Sequence, residues 1–307
     1  MNPVSGSRDC VDEHAELRRG GHNVRRTPRW ILSYSGVPLN LSPCKISDMR
    51  IITINTNGIR SAAKKGFFEW LPKQKADVVC IQETKAQLAD LQADPGFFPE
   101  GWTVHFKSAV KKGYAGVAIY SRKAPDKIIE TIGAEEFDDQ GRYLEFRFGN
   151  LSVVSLYLPS GSSGPERQAS KDRFLEFFGP IMGKWAKSKR DYVICADWNI
   201  AHTEKDLKNW KSNQKNSGFL PHERAWMTQA LTQQGWVDAH RKLEPELEGE
   251  LYTWWSNRGN AWANNVGWRL DYQLVSPRLA PRIKRASVYK ESRFSDHAPL
   301  LVDYDDA

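Results

Sequence analysis

The sequence has no run of about eighteen apolar residues, so it offers no segment long enough to cross a membrane as a helix. Cysteine is scarce too: the 307 residues include four, and their spacing matches neither a zinc site nor a disulfide framework. Two of them, Cys80 and Cys195, lie inside apolar segments where a thiol packs as a small hydrophobic group. These absences argue against a membrane protein and a cysteine-based metal centre, and they predict a reducing, cytoplasmic setting.

The residues that are present describe a folded and moderately basic chain. Hydrophobic residues make up 40% and charged residues 26%, which is typical of globular rather than disordered proteins. The formal net charge of +7 favours an anionic partner. An excess of this size is also common among soluble proteins, so it identifies no partner by itself.

Residues 1–48 differ in character from residues 49–307. They are rich in Arg, Ser, Gly and Pro, show no sustained helix or strand period, and precede Met49, which opens the first clear strand pattern. We predict that this stretch is a disordered leader or a non-native extension, and that residues 49–307 form a single catalytic domain. A transit peptide is the alternative, but five acidic residues in the leader argue against it.

From residue 50 onward, short apolar segments of strand length alternate with longer helical patterns. Helical periodicity covers 62–74, 167–189 and 221–235. Nine segments have strand patterns: 50–55, 77–82, 116–121, 143–148, 151–159, 191–197, 269–276, 286–291 and 298–304. Several of them are joined by short hairpin-like loops, so the pattern predicts an α/β fold with two stacked sheets flanked by helices.

Polar side chains recur where these strands begin or end. Three strands end on or just before an oxygen-bearing residue: Asn55, Glu83 and Asp197. Two later strands begin with Asp271 or follow the pair Asp296 and His297. A single residue of this kind is commonly a turn former. If the later strands run antiparallel to the earlier ones, however, all five strand ends share one edge and form a site.

Carboxylates and amides without thiolates suit Mg²⁺ or Mn²⁺ better than zinc, and magnesium sites often bind phosphate groups of a substrate. Hydrolysis of a phosphate ester then requires an activated water and stabilisation of charge on the phosphate oxygens. Asp197 is a candidate to orient or deprotonate the water, and Asn199 to hold it. His297, oriented by Asp271, is a candidate to bind a phosphate oxygen as imidazolium.

Six motifs carry a family resemblance: "NTNGIRS" (55–61), "IQETK" (81–85), "YLPSG" (157–161), "ADWNIA" (196–201), "NVGWRLDY" (265–272) and "SDHAP" (295–299). In this order they resemble the motifs of the exonuclease III family of apurinic/apyrimidinic (AP) endonucleases, within the endonuclease/exonuclease/phosphatase superfamily. The resemblance runs from about Met49 to the end of the chain and implies a four-layer α/β sandwich with two mostly antiparallel sheets. Ala196 and Trp198 depart from the glycine and phenylalanine that the family often has there.

The resemblance also implies roles for individual residues. It implies a Mg²⁺ site, with Mn²⁺ as a substitute, whose residues are Glu83 as main ligand with Asn55, Asn57 and Asp296 around it. The implied catalytic residues are Tyr157 against the scissile phosphate, Asp197 and Asn199 at the water, and the phosphate-binding dyad Asp271 and His297. The implied DNA-binding residues are Asn213, Asn216, Arg142, Lys85, and Trp254 and Trp268 as walls of a pocket for a base-free sugar.

The resemblance implies a magnesium-dependent AP endonuclease of base excision repair. Such an enzyme cuts double-stranded DNA 5′ to an abasic site, and 3′–5′ exonuclease and 3′-phosphodiesterase activities on the same site are expected beside it. We expect a monomeric, cytoplasmic protein associated with the nucleoid. Two alternatives stay open at this point: a superfamily phosphatase or phosphodiesterase acting on a non-DNA phosphate ester, and a DNA-binding module that has lost catalysis.

Overall fold

The apolar segments fold into fourteen strands within residues 48–305, the part of the chain that the structure, a computed structural model, describes. The predicted leader lies outside these residues, except for Asp48. In chain order the strands are β1 Met49–Asn55, β2 Val78–Gln82, β3 Thr103–Lys107, β4 Val117–Ser121, β5 Lys127–Ile129, β6 Tyr143–Phe148, β7 Leu151–Tyr157, β8 Asp191–Asp197, β9 Val237–Asp238, β10 Trp254–Trp255, β11 Gly267–Trp268, β12 Asp271–Val275, β13 Ile283–Val288 and β14 Leu300–Tyr304.

Helices connect these strands. The α-helices among the described residues are α1 Ile59–Lys64, α2 Phe67–Trp70, α3 Leu88–Gln92, α4 Glu135–Asp138, α5 Pro165–Ala186, α6 Trp210–Asn213, α7 Pro221–Thr228 and α8 Ala239–Leu243. Shorter 3₁₀ turns span Leu71–Gln74, Pro95–Phe97, Glu204–Asp206, Gly249–Leu251 and Pro277–Arg282, and a π-helical turn, Gln229–Gln233, continues α7. Both α5 and α7 open with proline, whose fixed φ suits the first helical turn. None of the described helices has the length and apolarity that crossing a membrane requires.

Twelve of the strands form two six-stranded sheets with matching plans. The first sheet has the order β13-β14-β1-β2-β4-β3 and the second has the order β5-β6-β7-β8-β12-β9. Each sheet contains one parallel pair, β1 with β2 and β7 with β8, and its other neighbours are antiparallel. The remaining strands, β10 and β11, pair with each other.

Three buried clusters show how the layers stack. One fills the space between the sheets and includes Ile51, Val153, Val193 and Leu300. A second packs the second sheet against α5 and α7, and a third packs the first sheet against α1 and α2. The order is therefore helices, sheet, sheet, helices, which confirms the predicted four-layer α/β sandwich with mostly antiparallel sheets.

Buried polar contacts cross the space between the sheets and hold their relative position. The Gln82 side-chain amide donates to the Ser155 hydroxyl at 3.0 Å, and the Gln273 amide donates to the Ile51 carbonyl at 3.0 Å. Such bonds in a dry interior are directional, unlike hydrophobic contact. They therefore fix which residues of one sheet face which residues of the other.

Most predicted elements differ from the structure by one to three residues at their ends, and two differ in ways that have a physical reason. The strand predicted at 286–291 is β13, which begins earlier, at Ile283. The sequence pattern misses this start because Lys284 and Arg285 on the edge strand obscure the apolar alternation. The helix predicted at 62–74 is divided at Gly66, which has a left-handed φ of 87°. The first part of that segment belongs to α1 and the second to α2 and the 3₁₀ turn after it.

Candidate active site

The strand order brings the predicted polar residues to one edge of the sandwich. In the second sheet β7 and β8 are parallel, so Tyr157 pairs with Asp197 at their carboxyl ends. The antiparallel strand β12 begins at Asp271, directly opposite Asp197. In the first sheet the parallel pair β1 and β2 ends at the same edge, with Asn55 on one strand and Glu83 just after the other. Strand starts and strand ends therefore meet, as the sequence pattern predicted.

Asn55 joins the two sheets at this edge. Its amide nitrogen donates to Glu83 Oε1 and to Asp197 Oδ2, each at 2.9 Å. Its amide oxygen accepts the backbone N–H of Asn57 at 2.8 Å. Asn55 is fully buried, and both ends of its amide are engaged, so in this structure it orients two carboxylates.

Asp197 lies in a buried pocket where its charge is poorly solvated. Burial raises the pKa of this carboxyl to about 7, although the positive charge of His297 opposes the rise. The backbone N–H of Asn199 donates to Oδ1 at 2.9 Å, and its side-chain amide lies 3.2 Å from Oδ2. With the Asn55 amide, three donors hold this carboxylate, and its pKa near neutrality suits it to accept a proton from water.

Asp271 and His297 form a buried pair. His297 Nδ1 lies 2.8 Å from Asp271 Oδ2, and His297 Nε2 lies 3.9 Å from Asp197 Oδ2. Burial lowers the pKa of His297, but Asp271 and Asp197 outweigh this and raise it to about 10. The imidazole is therefore protonated at neutral pH, and its Nε2–H can donate to an anionic group.

The backbone of Asp271 is held by Thr253, a residue that no sequence motif marks. The Thr253 hydroxyl oxygen accepts the backbone N–H groups of Leu270 and Asp271 at 3.0 and 3.1 Å. Asp271 Oδ1, in contrast, has no hydrogen-bond partner among the described residues. Thr253 could not be selected from the sequence, because its role depends on the register between distant segments.

Tyr157 lies against Glu83, and burial raises the pKa of its phenol well above the usual 10, so the hydroxyl stays protonated. Arg142 supports it from behind: its guanidinium lies 4.8 Å from the Tyr157 ring centre and donates to the Tyr157 carbonyl at 3.0 Å. The other Arg142 nitrogens donate to Gln140 and Tyr114. Arg142 is buried and does not line the cleft, so the structure does not support the predicted direct contact with DNA.

The residues predicted to surround a metal form a cluster of hard oxygen ligands. Asn57 donates its side-chain amide to Asp296 Oδ1 at 3.0 Å, and Lys85 Nζ lies 2.7 Å from Glu83 Oε2 and 2.5 Å from Asn57 Oδ1. Asn57, Glu83 and Lys85 have left-handed φ values of 44–48°, which typically cost about 1–3 kcal/mol each and are concentrated at functional sites. The lysine ammonium shows that this cluster stabilises positive charge.

The donor set fits a divalent cation at Glu83. Carboxylate and amide oxygens without sulfur are the ligands that Mg²⁺ and Mn²⁺ prefer. A second group, Asp197, Asp271 and His297, has its ligand atoms within 4.8 Å of one another. A protonated imidazole offers no lone pair, however, so that group suits an anionic oxygen better than a metal. The oxygen cluster around Glu83 is therefore the better candidate metal site.

A cleft of about 890 Å³ opens at this edge. It brings together most of the residues predicted for catalysis, metal binding and DNA binding: Glu83, Tyr157, Asp197, Asn199, Asn213, Asn216, Trp254, Trp268, Asp296 and His297. The Trp254 and Trp268 rings meet edge to face at 6.3 Å, and Trp254 Nε1 donates to Asp296 Oδ2 at 3.1 Å. Sequence reasoning did not identify the segment Ser160–Gly164 or Arg258 as further parts of this cleft.

The strand ends of this four-layer sandwich hold a hard oxygen cluster, a carboxylate that can activate water and a charged His–Asp pair. Together these features define a class of protein, the metal-dependent hydrolases of phosphate esters. Comparison with known proteins is consistent with that class. A family model described as "Endonuclease/Exonuclease/phosphatase family" matches residues 52–297.

Relatives narrow the assignment. The chain is 40% identical over 253 residues to an exodeoxyribonuclease of Bacillus subtilis (strain 168), covering 82% of this chain and 98% of that one. It is 36% identical over 270 residues to a DNA-(apurinic or apyrimidinic site) endonuclease of Dictyostelium discoideum, covering 87% and 74%. An AP endonuclease structure from Archaeoglobus fulgidus matches with a TM-score of 0.76 and 28% identity, over 84% of this chain and 99% of that one. The chain belongs to the endonuclease/exonuclease/phosphatase family, in its exonuclease III group of AP endonucleases.

Proposed function

We propose that this protein is a magnesium-dependent AP endonuclease of base excision repair that hydrolyses the phosphodiester 5′ to an abasic site in double-stranded DNA. The observation that carries the proposal is the arrangement of Asp197, Asp271 and His297. A proton acceptor and a charged donor face the same cleft, with His297 Nε2 3.9 Å from Asp197 Oδ2. A phosphate oxygen and an attacking water are the groups that such a pair can bind together.

The chemistry follows from the chain's own residues. Asp197 accepts a proton from water that Asn199 helps to hold, and the water attacks phosphorus. His297 donates a hydrogen bond to a nonbridging oxygen, while Asp271 keeps the ring charged and oriented. The P–O3′ bond breaks and the departing oxyanion takes a proton from solvent, which leaves a 3′-hydroxyl and a 5′-deoxyribose phosphate. Bound Mg²⁺, held by Glu83 with Asn57 and Asp296 nearby, would supply Lewis acidity that stabilises the leaving oxygen.

The aromatic wall supports the choice of an abasic site. Trp254 and Trp268 lie beside the catalytic residues and enclose one side of the cleft. A flipped-out sugar without a base fits a narrow aromatic pocket, whereas an intact nucleotide is larger and also loses its stacking when it leaves the duplex. Asn213 and Asn216 line the same cleft and suit phosphate contacts that position the strand. We infer 3′–5′ exonuclease and 3′-phosphodiesterase activities from the same site, because a 3′ end presents the same phosphate group.

A single oligonucleotide assay tests the proposal. A duplex with one abasic analogue is incubated with the wild type in Mg²⁺, Mn²⁺ or EDTA, and with Asp197→Ala. Asp191→Asn is a matched control, because Asp191 begins the strand that Asp197 ends and so lies at its opposite end. We expect cleavage 5′ to the analogue in Mg²⁺ and Mn²⁺, none in EDTA, and loss only in Asp197→Ala.

Other outcomes have clear meanings. Cleavage in EDTA would refute the metal requirement, and undiminished cutting by Asp197→Ala would refute the mechanism. Binding without cleavage by the wild type would favour the inactive DNA-binding module, although all five predicted catalytic residues are present. We further propose that the protein acts as a cytoplasmic, nucleoid-associated monomer, and light scattering that shows a stable dimer would contradict the monomer.

A further inference from the structure

A buried ion pair lies directly behind the backbone of Asn199, outside every motif that the sequence singled out. Lys171 Nζ on α5 lies 2.6 Å from Glu223 Oε1 on α7, and both side chains are fully buried. Lys171 Nζ also donates to the Asn199 carbonyl oxygen at 2.7 Å. Replacing a buried ion pair by apolar residues is often neutral or stabilising, so fold stability alone is a weak reason for this one.

Glu223 extends the contact to the asparagine-rich segment of the cleft. Its second oxygen accepts the backbone N–H of Gly218 at 2.7 Å and of Leu220 at 3.0 Å. The Gly218 carbonyl in turn accepts the N–H of Ala201 at 2.7 Å. The ion pair therefore links α5 and α7 to two cleft-lining segments, one at Asn199 and the other at Gly218. Burial lowers the pKa of Lys171, and Glu223 counteracts this.

The Asn199 backbone needs such support. Its φ is 50°, in the left-handed region that asparagine enters more readily than other non-glycine residues, so the orientation of its peptide groups depends on their hydrogen bonds. In this conformation its N–H points to Asp197 Oδ1 at 2.9 Å, and its side-chain amide reaches Asp197 Oδ2 at 3.2 Å and the Leu158 carbonyl at 3.0 Å. A bond on the Asn199 carbonyl therefore acts on the orientation of the Asp197 carboxylate.

We propose that Lys171 is a positioning residue for the reaction, whose ammonium holds the Asn199 carbonyl so that Asn199 and Asp197 keep the geometry that water activation needs. The inference rests on the proposed function, because it assumes that these two residues carry the chemistry. Lys171 is fully buried and is not among the residues that line the cleft, so it acts through Asn199.

The double variant Lys171→Met/Glu223→Gln tests this role. It leaves no unpaired buried charge, and the glutamine side chain at position 223 keeps an oxygen for the Gly218 and Leu220 N–H groups. The change removes the donor to Asn199 and the Glu223 oxygen that accepts the Gln168 side-chain amide at 3.1 Å. We expect the single-turnover rate constant to fall about 10- to 100-fold, as misplacement of a catalytic group does, while the Kd for DNA in EDTA stays within about threefold. The conservative variant Lys171→Arg keeps a charged donor and should recover most of the rate.

The rate constant separates positioning from stability. When folded enzyme stays in saturating excess over DNA, partial unfolding of a variant leaves the single-turnover rate constant unchanged. Arg147→Met/Glu145→Gln is a control, because it removes another ion pair with a buried carboxylate, on β6 and away from the carboxyl end of β7. We expect it to lower the melting temperature without slowing cleavage.

The outcomes distinguish the two proposals. A double variant that cuts within about twofold of the wild-type rate constant would overturn the role of Lys171 and leave the proposed function intact. If Lys171→Arg lowers the rate constant as much as the double variant does, the proposed role of Lys171 is also overturned, because a charged donor at this position would then not matter. A wild type that cuts no abasic duplex but removes nucleotides from a 3′ end would contradict the proposed lesion, and the comparison of variants then proceeds on that substrate. A wild type that cuts neither would refute both.

Discussion

Replacing Asp271 by asparagine is the most direct test of the charged pair. Asp271→Asn keeps the shape of the side chain but removes the negative charge 2.8 Å from His297 Nδ1. A hydrogen bond to a charged group contributes about 1.5–3 kcal/mol. One pKa unit corresponds to about 1.4 kcal/mol, so the pKa of His297 should fall from about 10 by about one to two units.

The consequence is a changed pH profile of cleavage. The reaction needs Asp197 ionised and His297 protonated, so the wild-type rate should rise with pH through about 7 and fall only near 10. In Asp271→Asn the fall should begin near pH 8–9, roughly one to two units earlier. The rise should move to lower pH, because the Asp271 charge that raises the pKa of Asp197 is gone. From the upper limb alone, the ratio of the wild-type rate to the variant rate should be about 3- to 20-fold larger at pH 9.5 than at pH 7.

The assay is single-turnover cleavage of a duplex with an abasic analogue between pH 5.5 and 10.5 at saturating metal. Thr253→Val is the control: it removes the acceptor for the Asp271 N–H and disturbs orientation, but it leaves the charge in place. We expect this control to lower the rate at every pH without moving the upper limb. An upper limb that stays near 10 in Asp271→Asn would refute the reasoning, because His297 would then not owe its charge to Asp271.

Three further predictions concern residues around this pair. Arg142→Met should lower the turnover rate about 10-fold with little change in DNA affinity, since Arg142 supports Tyr157 and does not line the cleft; an equal loss in a binding assay would contradict this. Trp268→Ala should narrow the ratio of abasic to intact DNA cleavage, measured in competition, because the wall that limits pocket size is lost. Lys85→Met should lower the Mg²⁺ concentration needed for half-maximal rate, because an ammonium no longer competes with metal for Glu83, and an increase would refute that competition.

Most of the fold and of the site could be predicted from the sequence, because both depend on local patterns that are visible in the order of residues alone. Apolar segments flanked by polar residues identified nine strands, and the residues at their ends lie at one edge of the structure. Short strands such as β9, β10 and β11 escaped detection, since two residues carry no alternation that can be read.

Contacts between distant segments could not be predicted. The family resemblance placed Arg142 at DNA, and only the packing shows that it lies behind Tyr157. Lys171 and Glu223 are residue types that normally lie on the solvent-exposed face of a helix, yet both are buried and contact each other. Charged residues in a sequence are normally assigned to solvent, so a buried pair is visible only when both helices are in place.

The bridge made by Asn55 has a mechanical consequence. Glu83 belongs to one sheet and Asp197 to the other, so the distance between the candidate metal ligand and the candidate base measures how far one sheet has slid over its neighbour. Protein interiors are close-packed and transmit small displacements, and a shift of about 1 Å at reacting groups can cost about 100-fold in rate. A substitution deep between the sheets, for example at Val153, can therefore slow catalysis in addition to lowering stability. In this enzyme the packing of the hydrophobic interior therefore sets the distance between the Glu83 and Asp197 carboxylates.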